Sequence, residues 1–224
     1  MITVAYFWRI NPATILWALF HMGWDRWWLR RAEYISFWKL LGTGKGETFT
    51  LRDGTALRWG FIVVIPREKL DTLDASPVVS RWRKKSHSEF HAVLAPISVH
   101  GKWAKRNPFI SDGVVSHKEN WSGEVVAITR ARIKWRKNLI FWRSVPPVTQ
   151  SLHQSEGLIG AIGIGEAPLG LQGTFSLWRS SEAVKNFAYR GSAHQSAIAA
   201  THREKWYAEE LFARFAVLQR AGRL

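Results

Sequence analysis

The chain has no cysteine, few acidic residues and no long apolar run, and each absence narrows its chemistry. Without cysteine it forms no disulfide and offers no thiolate to zinc, to an iron–sulfur cluster or to haem. No stretch reaches the roughly 18 consecutive apolar residues of a transmembrane helix. The N-terminus lacks a signal-peptide pattern, so we expect a cytoplasmic protein. The 8 histidines show no paired metal-ligand spacing, which argues against a zinc site.

Basic residues and tryptophan are plentiful by contrast. Lys and Arg number 32 against 17 Asp and Glu, which gives a net charge of +15, and there are 14 tryptophans. This charge favours an anionic partner, such as a nucleic acid, an acidic protein or an anionic membrane surface. The densest basic runs, 26–31, 81–85 and 130–137, are all mixed with tryptophan. That mixture suits a membrane interface, a large flat ligand, base stacking or a packed core with extended cations. Because no nucleic-acid motif is recognised, we expect no nucleic-acid partner.

The second half of the chain repeats the first. Residues 124–218 follow the same order of motifs as residues 2–98, with a polar segment, 99–123, between them. We therefore divide the chain into an N-terminal half (1–98), a connector (99–123) and a C-terminal half (124–224).

One position of the repeat differs in its chemistry. Aligning Ser76 with Ser192, an offset of 192 − 76 = 116, places His194 on Val78. The C-terminal half therefore has a histidine in a helical region where the N-terminal half has an apolar residue.

Hydrophobic periodicity predicts the same series of elements in both halves. In helix 11–30, Ile15, Leu19, Met22 and Trp27 recur at helical spacing, and Asn11-Pro12 marks the start of that helix. The glycine clusters after the second strand of each half, 42–46 and 163–165, predict hairpin turns rather than nucleotide-binding loops. The predicted elements are strands 3–9, 35–41, 57–65 and 90–97 with helices 11–30 and 66–84, then strands 124–133, 158–164, 171–178 and 210–218 with helices 135–154 and 180–203. The fold class is α+β, with two tandem ferredoxin-like βαββαβ halves that form a dimeric α/β barrel within one chain.

Several segments resemble the spheroidene monooxygenase family of carotenoid ketolases. The segments are FWKLLGTGKGE (37–47), GKWAKRNPF (101–109), AITRARIKWRKNLIFW (127–142), GIGEAPLGLQGTFSLW (163–178), FAYRGSAHQSAI (187–198) and WYAEELFARFAVL (206–218). The resemblance covers nearly the whole chain. It implies a haem b (iron) cofactor held by an axial histidine in the C-terminal half only, on a fold similar to those of chlorite dismutases and aldoxime dehydratases. It also implies a carotenoid substrate and a ferredoxin-type electron donor.

The resemblance makes His194 the candidate iron ligand, because it is the only histidine in the matching motif. Its neighbours Gly191, Ser192 and Ala193 are small enough for a porphyrin face to approach. His202, eight residues on, is the rival ligand. The alternative interpretation of His194 is an ordinary core or surface histidine.

Other cofactor-binding candidates lie on two strands of the C-terminal half. Arg130 and Arg132 share one strand face and are candidates for a haem propionate, or else arginines of a barrel edge. Phe175 and Leu177 share a face that lines a distal pocket or the plain core.

The sequence thus predicts a haem-dependent monooxygenase that acts on a hydrophobic, carotenoid-like small molecule. We further expect contact with a membrane surface and allow for a homo-oligomer. Two alternatives remain open. One is other haem chemistry on this fold, such as aldoxime dehydration or another nitrogen-centred reaction. The other is a non-enzymatic basic protein that binds haem or nucleic acid.

Overall fold

A computed structural model describes residues 1–44, 54–109, 121–133, 152–166, 173–190 and 207–224. The elements below are numbered in chain order. The strands are β1 (Ile2–Ile10), β2 (Phe37–Gly44), β3 (Gly54–Ile65), β4 (Ser86–Gly101), β5 (Val125–Ile133), β6 (Leu158–Gly165), β7 (Gly173–Trp178) and β8 (Tyr207–Ala221). The α-helices of the described residues are α1 (Ile15–Leu29), α2 (Leu70–Asp74), α3 (Pro77–Lys85) and α4 (Ser181–Arg190).

The eight strands form one closed antiparallel barrel in the order β1-β3-β2-β6-β7-β5-β8-β4. The expected α+β barrel is therefore confirmed. Within it, β4-β1-β3-β2 come from the N-terminal half, and β8-β5-β7-β6 come from the C-terminal half in the corresponding order. The long strand β4 pairs with β1 on one side and with β8 on the other. Strands β2 and β6 pair at the second seam.

Alternation along the strands fills both faces of the barrel wall. In β1, Ala5 and Phe7 point into the apolar barrel interior, whereas Val4, Tyr6 and Trp8 pack with the helices on the outside. A strand that is buried on both faces reads as a continuous apolar run, which is why the sequence identified β1 within one residue at each end.

The glycine clusters were predicted as hairpin turns, and this prediction is wrong for the part that the structure describes. Gly42 and Gly44 belong to β2, and Gly163 and Gly165 belong to β6. Gly42 pairs directly with Gly165 at the seam between the halves, next to an irregularity in the pairing of β2 with β3. Glycine is typical of places where a barrel wall bends sharply or where strands approach closely.

The helix expected over 66–84 is also interrupted, and the interruption has a local cause. Pro77 has no N–H and disfavours helical backbone at the residue before it, so Ser76 is extended, with φ −62° and ψ 151°. Ser76 then caps the following helix, because its side chain accepts a hydrogen bond of 3.3 Å from the Val79 N–H.

The described part of the segment 99–123 adds side chains to the core. Strand β4 continues to Gly101, and Trp103 and Phe109 are buried against Phe37 and Phe215 inside the barrel. No helix of the described residues is long and apolar enough to cross a membrane.

Candidate functional site

A buried arginine holds a cluster of charges together where β5 and β6 end and β8 begins. The Arg130 side chain is only 8% exposed. Its Nε donates to Glu166 Oε1 at 2.9 Å, and its Nη2 lies 2.7 Å from the same oxygen. Its Nη1 donates to Glu209 Oε1. The guanidinium carbon lies 5.6 Å from the centre of the Trp103 ring, in cation–π contact.

The two carboxylates have further partners. Lys39 Nζ pairs with Glu166, and Trp103 Nε1 donates to Glu166 Oε1 at 2.7 Å. Glu209 accepts backbone N–H bonds from Ala104 at 3.1 Å and from Lys105 at 2.7 Å. Ala104 and Lys105 are both in the left-handed region, with φ 57° and 65°. Such a conformation costs about 1–3 kcal/mol per non-glycine residue, and the bonds to Glu209 help to offset that cost.

The protonation of the cluster follows from these contacts. Burial raises the pKa of Glu166, but Lys39, Arg130 and Trp103 together outweigh burial and hold that pKa below its usual value. Burial likewise raises the pKa of Glu209, and the backbone N–H groups and Arg130 outweigh it. Both groups are therefore carboxylates at neutral pH, and the cluster ties three strand ends together as a set of ion pairs.

The predicted site residues lie in different surroundings. Arg130 is committed to Glu166 and Glu209, while Arg132 is exposed near the end of β5. Phe175 and Leu177 are buried in the barrel interior, within 0–1% exposure. His194 lies outside the described residues, as does its rival His202. The roles assigned to these residues stay predictions.

The helix-facing sides of the two halves are lined by residues of different size. In β1 and β3, Tyr6 pairs with Phe61, and both rings are fully buried. The two halves can be compared by aligning the paired residues Ile2 and Ile65 with the paired residues Val125 and Trp178. In this alignment Tyr6 corresponds to Thr129 in β5, and Phe61 corresponds to Thr174 in β7.

The difference extends to the neighbouring pairs but not to the end of the sheet, where the buried Trp178 matches Ile65. The helix-facing side of the N-terminal half is formed by large residues: Val4, Tyr6, Trp38, Leu40, Phe61 and Val63. The matching positions of the C-terminal half are small: Ala127, Thr129, Ala161, Gly163, Thr174 and Ser176. We call this second set the small-residue face. On this face Thr129 is exposed and Thr174 half-buried, whereas Ala127, Gly163 and Ser176 are buried. Trp178 covers part of it, because its Nε1 donates to Ser176 Oγ at 2.9 Å. The accessible part of the face in the described residues therefore includes the Thr129–Thr174 pair.

The sequence analysis did not identify the carboxylates that pair with Arg130. Two positions could have indicated them, because Glu166 directly follows strand β6 and Glu209 pairs with Arg132 across β8 and β5. Two alternating arginines on a strand of a closed barrel need acidic partners nearby. Among the described residues, no three His, Asp or Glu side chains are arranged to hold a metal ion.

Known proteins similar to this chain include several named enzymes. The spheroidene monooxygenase of Rhodobacter capsulatus is 34% identical over 215 residues, which cover 95% of this chain and 88% of that protein. The enzyme of the same name from Rubrivivax gelatinosus is 34% identical over 191 residues, covering 83% and 70%. That of Cereibacter sphaeroides is 31% identical over 211 residues, covering 93% and 64%. No protein-family model matches the chain.

Solved structures share the fold at low sequence identity. A crystal structure of an aldoxime dehydratase in complex with butyraldoxime aligns with a TM-score of 0.55 at 11% identity, covering 96% of this chain and 79% of the other. A second aldoxime dehydratase structure aligns with a TM-score of 0.52 at 12% identity, covering 96% and 81%. At these identities the likeness concerns the fold.

Proposed function

Because this chain belongs to the spheroidene monooxygenase family, we propose that it is a haem-dependent monooxygenase that inserts oxygen into a carotenoid-like hydrophobic substrate. Family membership makes the chain an oxidoreductase. Haem b, its ligand and the electron donor are the parts that the proposal adds.

The proposed architecture is two tandem ferredoxin-like halves, 1–98 and 124–224, joined through 99–123. The repeated strand order, β4-β1-β3-β2 and β8-β5-β7-β6, supports it. This strand order is that of a βαββαβ unit in which the outer strands of the two sheets pair to close one barrel.

The small-residue face carries the assignment of haem to the C-terminal half. A porphyrin is a large flat group, and Thr129 and Thr174 are small and reached by solvent where the N-terminal half has the buried rings of Tyr6 and Phe61. Because the chain has no cysteine, a haem iron would take histidine or another non-thiolate ligand. In this proposal His194 would hold the iron of haem b.

The chain's own residues would hold the cofactor and keep the site dry. Haem b supplies the redox chemistry by which dioxygen is activated. The small-residue face would lie against the porphyrin, and Arg132, exposed near the end of β5, is accessible to a propionate. Phe175 and Leu177 support the face from behind, since they fill the barrel interior on the other side of β7. The ion pairs of Arg130 fix the strand ends.

The proposed reaction is a monooxygenation with a balanced set of reactants. One oxygen atom of dioxygen enters a substrate C–H bond, the other leaves as water, and two electrons and two protons are consumed. A ferredoxin-type protein is the proposed electron donor, since an acidic donor complements the net charge of +15. A homo-oligomer and a cytoplasmic location remain predictions.

The test combines product analysis with a spectrum. The purified protein, a reducing system and spheroidene under ¹⁸O₂ should give an ¹⁸O-labelled carotenoid, and the protein should show a Soret band. His194→Ala should lose the band and the product while its circular dichroism is unchanged. His202→Ala is the matched control and should keep both.

Two results would contradict the proposal. A colourless wild-type protein that still oxygenates the carotenoid would remove haem from it. Loss of the Soret band in His202→Ala, with the band retained in His194→Ala, would transfer the ligand role to His202.

A further inference from the structure

Helix α1 exposes the apolar side chains that an ordinary surface helix buries. Leu16 is 81% exposed, Phe20 61%, Trp24 54% and Trp27 53%. Their spacing of four, four and three residues places them along one side of the helix. Leu19, 45% exposed, widens this stripe. Exposed patches of this kind on a soluble domain mark a binding surface.

The aromatic rings of this stripe are already ordered against one another. Phe20 stacks on Trp24, with centroids 5.7 Å apart and planes 20° apart. Trp24 stacks on Trp27 at 6.3 Å and 24°. The guanidinium of Arg31 lies 3.8 Å from the centre of the Trp27 ring. We call Phe20, Trp24, Trp27 and Arg31 the aromatic ladder. Because its side chains are held in one arrangement, binding through it costs little conformational entropy.

The orientation of α1 is fixed by polar contacts on its other side. Asp25 is fully buried, and its Oδ2 accepts a hydrogen bond of 2.8 Å from Trp82 Nε1 in α3, while its Oδ1 pairs with Arg81. Since the carboxylate must face α3 to make these bonds, the aromatic ladder must face outward.

The charge around the ladder is basic. Arg26, Arg30 and Arg31 are exposed at its C-terminal end. Between residues 11 and 36 the sequence has only two acidic residues, the buried Asp25 and the exposed Glu33. A surface of tryptophan rings edged by arginine is complementary to the headgroup region of an anionic bilayer, where indole rings lie at the boundary and guanidinium groups meet phosphates.

A cavity next to the ladder adds a second basic element. It has a volume of about 560 Å³ and lies between the end of α1, strand β2 and the 104–106 turn. Four cationic side chains line it: Arg26, Arg30, Lys39 and Arg106. The carboxylate in its lining, Glu166, is already paired with Lys39 and Arg130. The cavity is therefore suited to an anionic group such as a lipid phosphate.

From these observations we propose that α1 is a membrane-docking surface. The aromatic ladder inserts at the headgroup boundary of an anionic phospholipid bilayer, and the arginines and the cavity bind lipid phosphates. The proposed function gives this docking its purpose, because a carotenoid-like substrate dissolves in the bilayer. The docking itself is measured without turnover, so either proposal can fail while the other stands.

The experiment is flotation of the purified full-length protein with vesicles of phosphatidylcholine, with or without phosphatidylglycerol. We expect flotation with the anionic vesicles at low salt and a decline as salt rises, since exposed charges are screened over about 8–10 Å near physiological ionic strength. Trp24→Ser/Trp27→Ser should weaken vesicle binding about tenfold or more, because two interfacial rings are lost. Arg26→Gln/Arg30→Gln should weaken it about 25-fold at low salt, since each basic residue near an anionic surface contributes roughly a factor of five.

Matched variants separate this surface from general effects. Leu57→Ser/Ile159→Ser removes two apolar side chains that are 40% and 41% exposed outside α1. Lys84→Gln/Lys85→Gln removes the same charge from the exposed end of α3. Both controls should bind vesicles as the wild type does. Thermal melts should show every variant folded, because all the exchanged side chains are exposed.

Three outcomes would overturn the proposal. The first is a wild type that floats with neither vesicle type. The second is a ladder variant that binds like its control. The third is a wild-type dimer in light scattering that Trp24→Ser/Trp27→Ser converts to monomers without any vesicle binding, which would make the ladder an interface between two copies of the chain.

Discussion

Replacing Asp25 with alanine should cost much of the stability that joins α1 to α3. Asp25 has no exposed surface, and its carboxylate accepts a hydrogen bond of 2.8 Å from Trp82 Nε1 and pairs with Arg81. His21 Nδ1 lies 3.3 Å from Oδ1. The replacement leaves the buried indole N–H of Trp82 without this acceptor.

The magnitude follows from how much water each partner can reach. A bond to a charged acceptor contributes about 1.5–3 kcal/mol, and a buried donor left unpaired costs about 1–3 kcal/mol. Trp82 is 1% exposed and incurs this cost in full. Arg81 is 33% exposed and can turn to solvent, so its ion pair is discounted towards the value of about 0–1 kcal/mol for surface pairs. The expected loss of unfolding free energy is about 3 kcal/mol. In a chain of this size, such a loss lowers the melting temperature by roughly 6–12 °C.

The assay is urea unfolding followed by far-ultraviolet circular dichroism. Asp25→Asn keeps an acceptor for Trp82 and should lose only about half as much unfolding free energy as Asp25→Ala, since it retains one bond and no buried charge. Asp71→Ala, at an exposed position in α2, is the control and should change the free energy by less than about 0.5 kcal/mol. An Asp25→Ala variant as stable as the Asp71→Ala control would refute the reasoning.

Two further predictions concern the C-terminal half. Thr174→Phe places on the small-residue face the residue type that the N-terminal half has at Phe61. Haem retention, read from the Soret absorbance, should fall about tenfold, because overpacking the haem-binding site costs about 1–3 kcal/mol. Ser80→Phe, at an exposed position of α3, is the control and should have no effect. Equal Soret bands in the two variants would contradict the placement of haem on the small-residue face. The pKa of Glu166 lies below its usual value, so its contribution to stability is complete above the unfolded-state pKa of about 4.3 and is lost as pH falls through the folded-state pKa. Urea midpoints of the wild type should therefore drop in acid more steeply than those of Glu166→Gln, and parallel curves would remove the ion-pair interpretation.

The sequence predicted the strands well because their signal is local. Each strand is buried on one or both faces, and the alternation of side chains records that burial directly. The helical spacing of Ile15, Leu19, Met22 and Trp27 failed to identify the buried side of α1, since Leu19 and Trp27 are exposed. The orientation is set by Asp25 and Trp82, which lie 57 residues apart, and local periodicity holds no information about such a contact.

The candidate site was predictable only in part, for the same physical reason. The alternation of Arg130 and Arg132 was visible in the sequence, but the partners of Arg130 come from other strands, Glu166 after β6 and Glu209 in β8. The roles of the glycines in β2 and β6 were missed because the pairing of Gly42 with Gly165 joins the two halves. Contacts between distant strands depend on closure of the barrel, which no short motif encodes.

The size difference between the two sheet faces gives the repeat a physical meaning. A sheet face can be filled by its own aromatic side chains or left open for a large flat group, but not both, because packing at close to crystal density leaves no spare volume. In the N-terminal half Tyr6 and Phe61 fill that face, so this half has no room for a cofactor there and its first helix is available for docking. In the C-terminal half the matching pair, Thr129 and Thr174, is small and reached by solvent. In the proposed mechanism, membrane attachment and oxygen chemistry therefore belong to different halves, so the ladder variants should lose vesicle binding with the Soret band intact, and Thr174→Phe should lose the Soret band with vesicle binding intact.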